Sequence, residues 1–129
     1  MVKKNLREVK ILIVDDEEPI RQAMVDVFLN SGFSVVSAEN GQAGLKKALA
    51  EHPNLILLDL IMPKMGGIEM LKKLRKNKWG KDVPVIILTN YSETEKVALS
   101  LEGGVHDYLI KYDWDLRDVV KKVKEKLGL

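Results

Sequence analysis

Ile11-Leu12-Ile13-Val14-Asp15-Asp16 sets four apolar residues directly against a pair of carboxylates, and three further apolar runs of the chain likewise end on a polar residue. Leu55-Ile56-Leu57-Leu58 ends on Asp59, Val85-Ile86-Ile87-Leu88 on Thr89, and Tyr108-Leu109-Ile110 on Lys111. In an open parallel α/β sheet the C-terminal ends of the strands gather along one edge, where ligands bind. Three carboxylates, a hydroxyl and an ammonium are therefore expected to meet in one pocket.

The segments between these runs carry helical patterns, and the alternation is the signature of βα units wound onto a parallel sheet. Ile20, Met24, Val27 and Phe28 recur at i, i+4, i+7, i+8, predicting a helix that begins near Glu18 with Pro19 in its first turn, where a missing N–H costs little. It stops at Asn30-Ser31-Gly32, and residues 33–38 read as a second strand. Leu45, Ala48 and Leu49 mark a second helix ended by His52-Pro53. Gly66-Gly67 opens a third, with Ile68, Leu71 and Leu74 facing inward. A further helix is predicted after Ser92, an N-cap three residues before Glu95, with Val97, Ala98 and Leu101 as its apolar side. Leu116, Val119, Val120, Val123 and Leu127 define the last helix. The pattern is (βα)5, a doubly wound α/β domain with no internal linker, low-complexity segment or solenoid repeat.

At 129 residues the chain fits one domain, residues 1–129, able to bury about two-thirds of its unfolded surface. The absence of cysteine excludes disulfides, thiolate metal sites and a cysteine nucleophile. Met1-Val2-Lys3-Lys4 leads into Asn5 and charged residues rather than an apolar stretch, so no signal peptide is expected. No apolar run approaches the roughly 18 residues of a membrane span, and a cytoplasmic setting without membrane contact is expected. With 21 basic and 19 acidic residues the formal charge is +2, too small to act as an electrostatic footprint for direct nucleic-acid binding. Acidic residues concentrate at Asp15-Asp16-Glu17-Glu18. Basic ones concentrate at Lys72, Lys73, Arg75, Lys76 and Lys78, and at Lys121, Lys122, Lys124 and Lys126. The plain reading of the basic runs is a solvated helix face with cations near the helix C-terminus; a docking patch is the sharper alternative. His52 and His106 have no companion at metal-ligand spacing.

Asp59 is the candidate reacting group. A carboxylate can attack phosphorus to give an acyl phosphate if something neutralises the charge of nucleophile and phosphoryl group. Asp15, Asp16 and Asp59 together make a hard, all-oxygen site suited to Mg²⁺, which removes their mutual repulsion. An acidic pair after a strand also serves as N-cap and first-turn charge for the following helix. The agreement of Asp59, Thr89 and Lys111 with the pair favours the site. Lys111 offers a mobile point charge to a phosphate oxygen, and Thr89 a hydroxyl donor. Taken singly, they also read as a solvated lysine at a strand end and an ordinary β-branched strand residue.

Taken together and in this order, these residues resemble the receiver domain of two-component response regulators, above all the small chemotaxis-type receivers, over residues 10–127. The resemblance implies the strand order 2-1-3-4-5. It implies that Asp59 is the phosphoacceptor, that Asp16, Asp59 and the backbone carbonyl of Ile61 ligate Mg²⁺ directly, and that Asp15 acts through water. Thr89 would be the switch hydroxyl and Tyr108 the aromatic that turns inward with it, although on its residues alone Tyr108 reads equally as half-buried strand material. The implied donor is a phosphohistidine on a sensor histidine kinase or phosphotransfer protein. The implied output is a change in the surface of the fourth helix, fifth strand and last helix, read by a downstream target. Such a domain is not a metabolic enzyme but promotes its own phosphorylation and dephosphorylation.

Met62-Pro63-Lys64-Met65-Gly66-Gly67 matches the family's turn-rich loop after the phosphoacceptor. Tyr112 stands where the family usually has a proline in a cis bond, and a cis bond before a non-proline residue costs about 2.5–4 kcal/mol, so Lys111-Tyr112 is expected to be trans. Asn90 replaces a small alanine. These departures leave open a pseudo-receiver that binds partners without phosphorylation, and a receiver belonging to a larger regulator with an output domain is also open. A phosphatase of the haloacid dehalogenase type would need a second acid at the position of Ile61. A flavodoxin-like carrier would place phosphate against Asp15-Asp16-Glu17-Glu18, which repels it.

Overall fold

The computed structural model describes residues 5–60, 62–89, 107–110 and 115–129, the last residue of β4 and all of β5 through their backbone. Five strands form one parallel sheet: β1 (Lys10–Val14), β2 (Ser34–Ala38), β3 (Leu55–Asp59), β4 (Val85–Thr89) and β5 (Asp107–Ile110), in the order β2-β1-β3-β4-β5. This is the order implied by the resemblance. The helices are α1 (Glu18–Asn30), α2 (Gly41–Glu51), α3 (Gly67–Arg75) and α4 (Leu116–Leu127), and a short 3₁₀ turn, Leu6–Glu8, precedes β1. The helix predicted after Ser92 lies outside the described residues. Among the described residues no helix is long and apolar enough to cross a membrane.

The unbroken apolar runs follow from burial on both faces of the sheet, which removes the polar alternation of a half-solvated strand. β3 is buried at every position and β1 at every position after Lys10. Leu12, Val14, Ile56, Leu58 and Ile87 point to one side, against Ala48 of α2 and Met70, Leu71 and Leu74 of α3. Ile11, Ile13, Leu57, Ile86 and Leu88 point to the other, against Met24 and Phe28 of α1 and Val119, Val120 and Val123 of α4. Each fully buried side chain of this size contributes about 1.5–3 kcal/mol.

One boundary and two details of burial differ from the sequence expectation. Phe33 is buried but precedes β2, because its N–H is taken by the Phe28 carbonyl at 3.1 Å while Gly32, at φ 98°, turns the chain out of α1. That double turn closes the helix and leaves Phe33 edge-on to Phe28, ring centroids 5.5 Å apart. Leu49 is 37% exposed rather than part of the apolar side of α2. α2 packs through Gly44 and Ala48, which are small enough to bring the helix close to β1, and the buried stripe is centred there. In α3 Met70 is fully buried, whereas Ile68 is only partly so.

Candidate functional site

Asp15 follows the last residue of β1, and its N–H, its Oδ1 and its carbonyl each take part in a hydrogen bond. Its N–H donates to the Ala38 carbonyl at 3.1 Å, extending the β1–β2 ladder by one bond. Its Oδ1 accepts from the Glu17 N–H at 2.9 Å, and its carbonyl accepts from Arg21 Nη1 at 2.9 Å. These bonds fold the chain back on itself before α1 begins. Asp59 closes β3, in register with Leu88 of β4, and is 3% exposed. Asp15 is fully buried.

Carboxylate oxygens of Asp15, Glu17 and Asp59 lie within 4.8 Å of one another. Glu17 was not among the residues singled out from the sequence, although it stands in the same acidic run. The turn that ties its N–H to Asp15 brings the residue two places on back toward the strand end. Asp16 is exposed and lies outside this group of three. At 4.8 Å two like unit charges repel by roughly 3 kcal/mol at an effective dielectric of 20, a repulsion that positive charge nearby relieves. Oxygen-only donors of this kind fit a hard divalent cation such as Mg²⁺, which takes one or two carboxylates and keeps water in its remaining positions.

The loop after Asp59 is shaped by tight backbone packing. A Cβ on Gly67 would stand 2.2 Å from the Asp59 carbonyl oxygen, so only glycine lets α3 start against the end of β3. Lys64 and Met65 adopt φ values of 50° and 82°, a left-handed pair without glycine. Their carbonyls accept from the first amides of α2: Gly41 N to Met65 O at 3.0 Å and Gln42 N to Lys64 O at 3.3 Å. The N-terminus of α2 is itself capped by Asn40, whose Oδ1 accepts from Ala43 N at 2.8 Å.

Thr89 is the last residue of β4, paired with Ile110, and therefore one position beyond the residue that faces Asp59. Tyr108 lies in β5 opposite Ile87. The backbone thus puts Thr89 at the same sheet edge as Asp15 and Asp59. Ile61, Asn90, Lys111 and Tyr112, with the expected trans bond between the last two, lie outside the described residues.

Residues 11–124 match the response regulator receiver domain. The chain belongs to that family. As a receiver it is 42% identical, over 89% of its length, to the alkaline phosphatase synthesis transcriptional regulatory protein PhoP of Bacillus subtilis, of which it covers 47%. It shares 35% identity with the phosphate regulon transcriptional regulatory protein PhoB of Escherichia coli, of which it covers 50%. The chain thus spans about half the length of these curated relatives. A CheY-like receiver domain protein from Methanospirillum hungatei superposes with a TM-score of 0.85 at 34% identity, covering 93% of this chain and 94% of its own. The receiver fold, two-component signalling class and acidic strand-end cluster therefore coincide in one chain.

Proposed function

We propose that residues 1–129 form a single receiver domain that works as a phosphorylation-dependent switch in the cytoplasm, with Asp59 as phosphoacceptor. The observation that carries this reading is the convergence of the Asp15, Glu17 and Asp59 carboxylates at the C-terminal edge of a receiver sheet. A carboxylate oxygen of Asp59 attacks phosphorus, the P–N bond of a donor phosphohistidine breaks, its electron pair returns to the imidazole, and an acyl phosphate results. Hydrolysis of that acyl phosphate releases inorganic phosphate and restores the carboxylate. Asp15, Asp16 and Asp59, with the carbonyl of Ile61, would hold Mg²⁺. When bound, the ion supplies positive charge that offsets the carboxylates and the phosphoryl oxygens. Thr89 would donate its hydroxyl to a phosphoryl oxygen and Lys111 its ammonium to another, with Tyr108 following Thr89 as the switch responds.

The proposed donor is a sensor histidine kinase or a phosphotransfer protein. The output is a changed affinity for a downstream target through the surface of the predicted helix after Ser92, β5 and α4. PhoP and PhoB are named transcriptional regulatory proteins and are about twice as long as this chain, which supports a regulator in which the receiver governs an output domain. The test is intact-mass measurement after incubation with a small-molecule phosphodonor and Mg²⁺. One phosphoryl group is expected on the wild type and none on Asp59→Asn. An unmodified wild type, with donor and kinase both supplied, would establish the pseudo-receiver instead.

A further inference from the structure

Arg21 occupies a place that disfavours a cation. It sits near the start of α1, its N–H bonded to the Glu17 carbonyl at 2.9 Å, where the helix macrodipole presents partial positive charge. The acidic run just before it offsets that cost but does not explain where the guanidinium goes. Nη1 donates at 2.9 Å to the main-chain carbonyl of Asp15, in a part-buried position.

That carbonyl belongs to the peptide joining Asp15 to Asp16. Its orientation sets the plane from which the two carboxylates leave the end of β1. Asp15 is held through its N–H by Ala38, through Oδ1 by the Glu17 N–H, and through its carbonyl by Arg21. Of the three, the Arg21 bond is the one a substitution can remove without deleting a carboxylate or a main-chain group.

We propose that Arg21 is a positioning residue for the cation site: by holding the Asp15 carbonyl it aims the Asp15 and Asp16 carboxylates, without itself touching the ion. This rests on the reading of the acidic edge as a Mg²⁺ site. Two consequences of the arginine have opposite signs, which makes the inference testable. Its hydrogen bond favours metal binding by organising the ligands, as groups behind the ligands do in other metal sites. Its positive charge opposes metal binding.

The experiment is calorimetric titration of the full chain with Mg²⁺, for the wild type, Arg21→Lys and Arg21→Met, with thermal melting in chelator alongside. Lysine keeps a charged donor whose reach is one atom shorter; methionine drops both donor and charge. Arg21→Met is expected to weaken Mg²⁺ binding about tenfold, the lower end of the range for residues behind metal ligands. Arg21→Lys is expected to fall between the wild type and Arg21→Met. The phosphorylation rate at saturating Mg²⁺ should equal that of the wild type in both, so the defect appears in the Mg²⁺ concentration needed and not in the maximal rate. Unchanged or tighter Mg²⁺ binding in Arg21→Met, even with a lower melting temperature, would overturn the proposal and leave Arg21 a stabiliser of α1. Equal weakening in both variants would also overturn it, because a variant that keeps a donor would then bind no better than one that has none. If Arg21→Met fails to fold, Arg21→Gln, whose amide is too short to reach the carbonyl, takes its place and should show the same weakening. A wild type that binds no Mg²⁺ at all overturns the cation reading itself, a result distinct from any difference among variants.

Discussion

The two edges of the sheet treat charge in opposite ways. At the N-terminal edge polar groups meet partners of opposite character. Lys10 Nζ reaches Glu51 at 2.6 Å, and Asn54 Oδ1 accepts from Lys10 N at 2.8 Å while its own N–H donates to Lys10 O. Arg75 donates to the carbonyls of Gly80 at 2.7 Å and Val83 at 2.9 Å, tying the end of α3 to the approach to β4. Burial holds that guanidinium below its usual range, with Asp82 acting in the opposite sense. His52, left-handed at φ 49°, stacks on Trp79 at 4.3 Å. At the C-terminal edge, by contrast, like charges are collected among the described residues. Asp15 and Asp59 are buried within reach of each other and of Glu17. Paired groups of opposite character need nothing further, whereas oxygen donors gathered with one sign of charge fit a hard divalent cation.

The sharpest way to break that comparison is at Gly67, where backbone packing supports the acidic edge. Gly67→Ala must displace the Asp59 carbonyl and is expected to cost about 3 kcal/mol by urea denaturation. It should also reduce phosphoryl uptake; full uptake at lowered stability would detach the loop geometry from Asp59 chemistry. At the opposite edge, Arg75→Met leaves two carbonyls without their charged donor and should cost about 2 kcal/mol, by the same amount with and without Mg²⁺. A cost that depends on Mg²⁺ would show that the two edges are coupled.

Asp59→Asn should do the reverse of Arg75→Met in the absence of metal. Removing one of the clustered charges is expected to stabilise the protein by about 1 kcal/mol, seen as a higher melting temperature in chelator. Mg²⁺ should then raise the melting temperature of the wild type more than that of the variant. A destabilised Asp59→Asn would show that the hydrogen bonds of the cluster outweigh its repulsion.

The smallest effect concerns Lys10 and Glu51. The side-chain hydrogen bond from Lys10, then its charge, holds the Glu51 carboxyl below its ordinary pKa of 4.5. A depressed folded pKa contributes stability that is present above 4.5 and is lost as pH falls through the lower folded value. The wild type should therefore exceed Lys10→Met in stability near neutral pH, and the two curves should converge in acid below pH 4.5. Parallel curves down to the acid limit would mean that the pair adds nothing.

The linear order of apolar runs, with polar residues closing them, was sufficient for the architecture. Strands of this kind must be buried on both faces, and the helical repeats between them supply the covering layers. Asp15, Asp59 and Thr89 were legible as strand-end residues because parallel connections return every strand in the same direction. Lys111 was legible in the same way but lies outside the described residues. Glu17 was not legible: whether a residue just past a strand turns back into the site depends on a single bond, from its N–H to Asp15 Oδ1, which no periodicity encodes. The same holds for Arg21, whose partner is a backbone carbonyl and leaves no mark in a pattern of side chains. Leu49 shows the limit from the apolar side, since helical spacing marks a stripe but the smallness of Gly44 and Ala48 decides where that stripe is centred. Sequence determined which chemistry arrives at the edge of the sheet, because strand direction and hydrophobicity are properties of short segments. Tertiary structure alone decided which carboxylates meet there, because contacts a few ångströms long between separate loops are set by backbone hydrogen bonds and close packing.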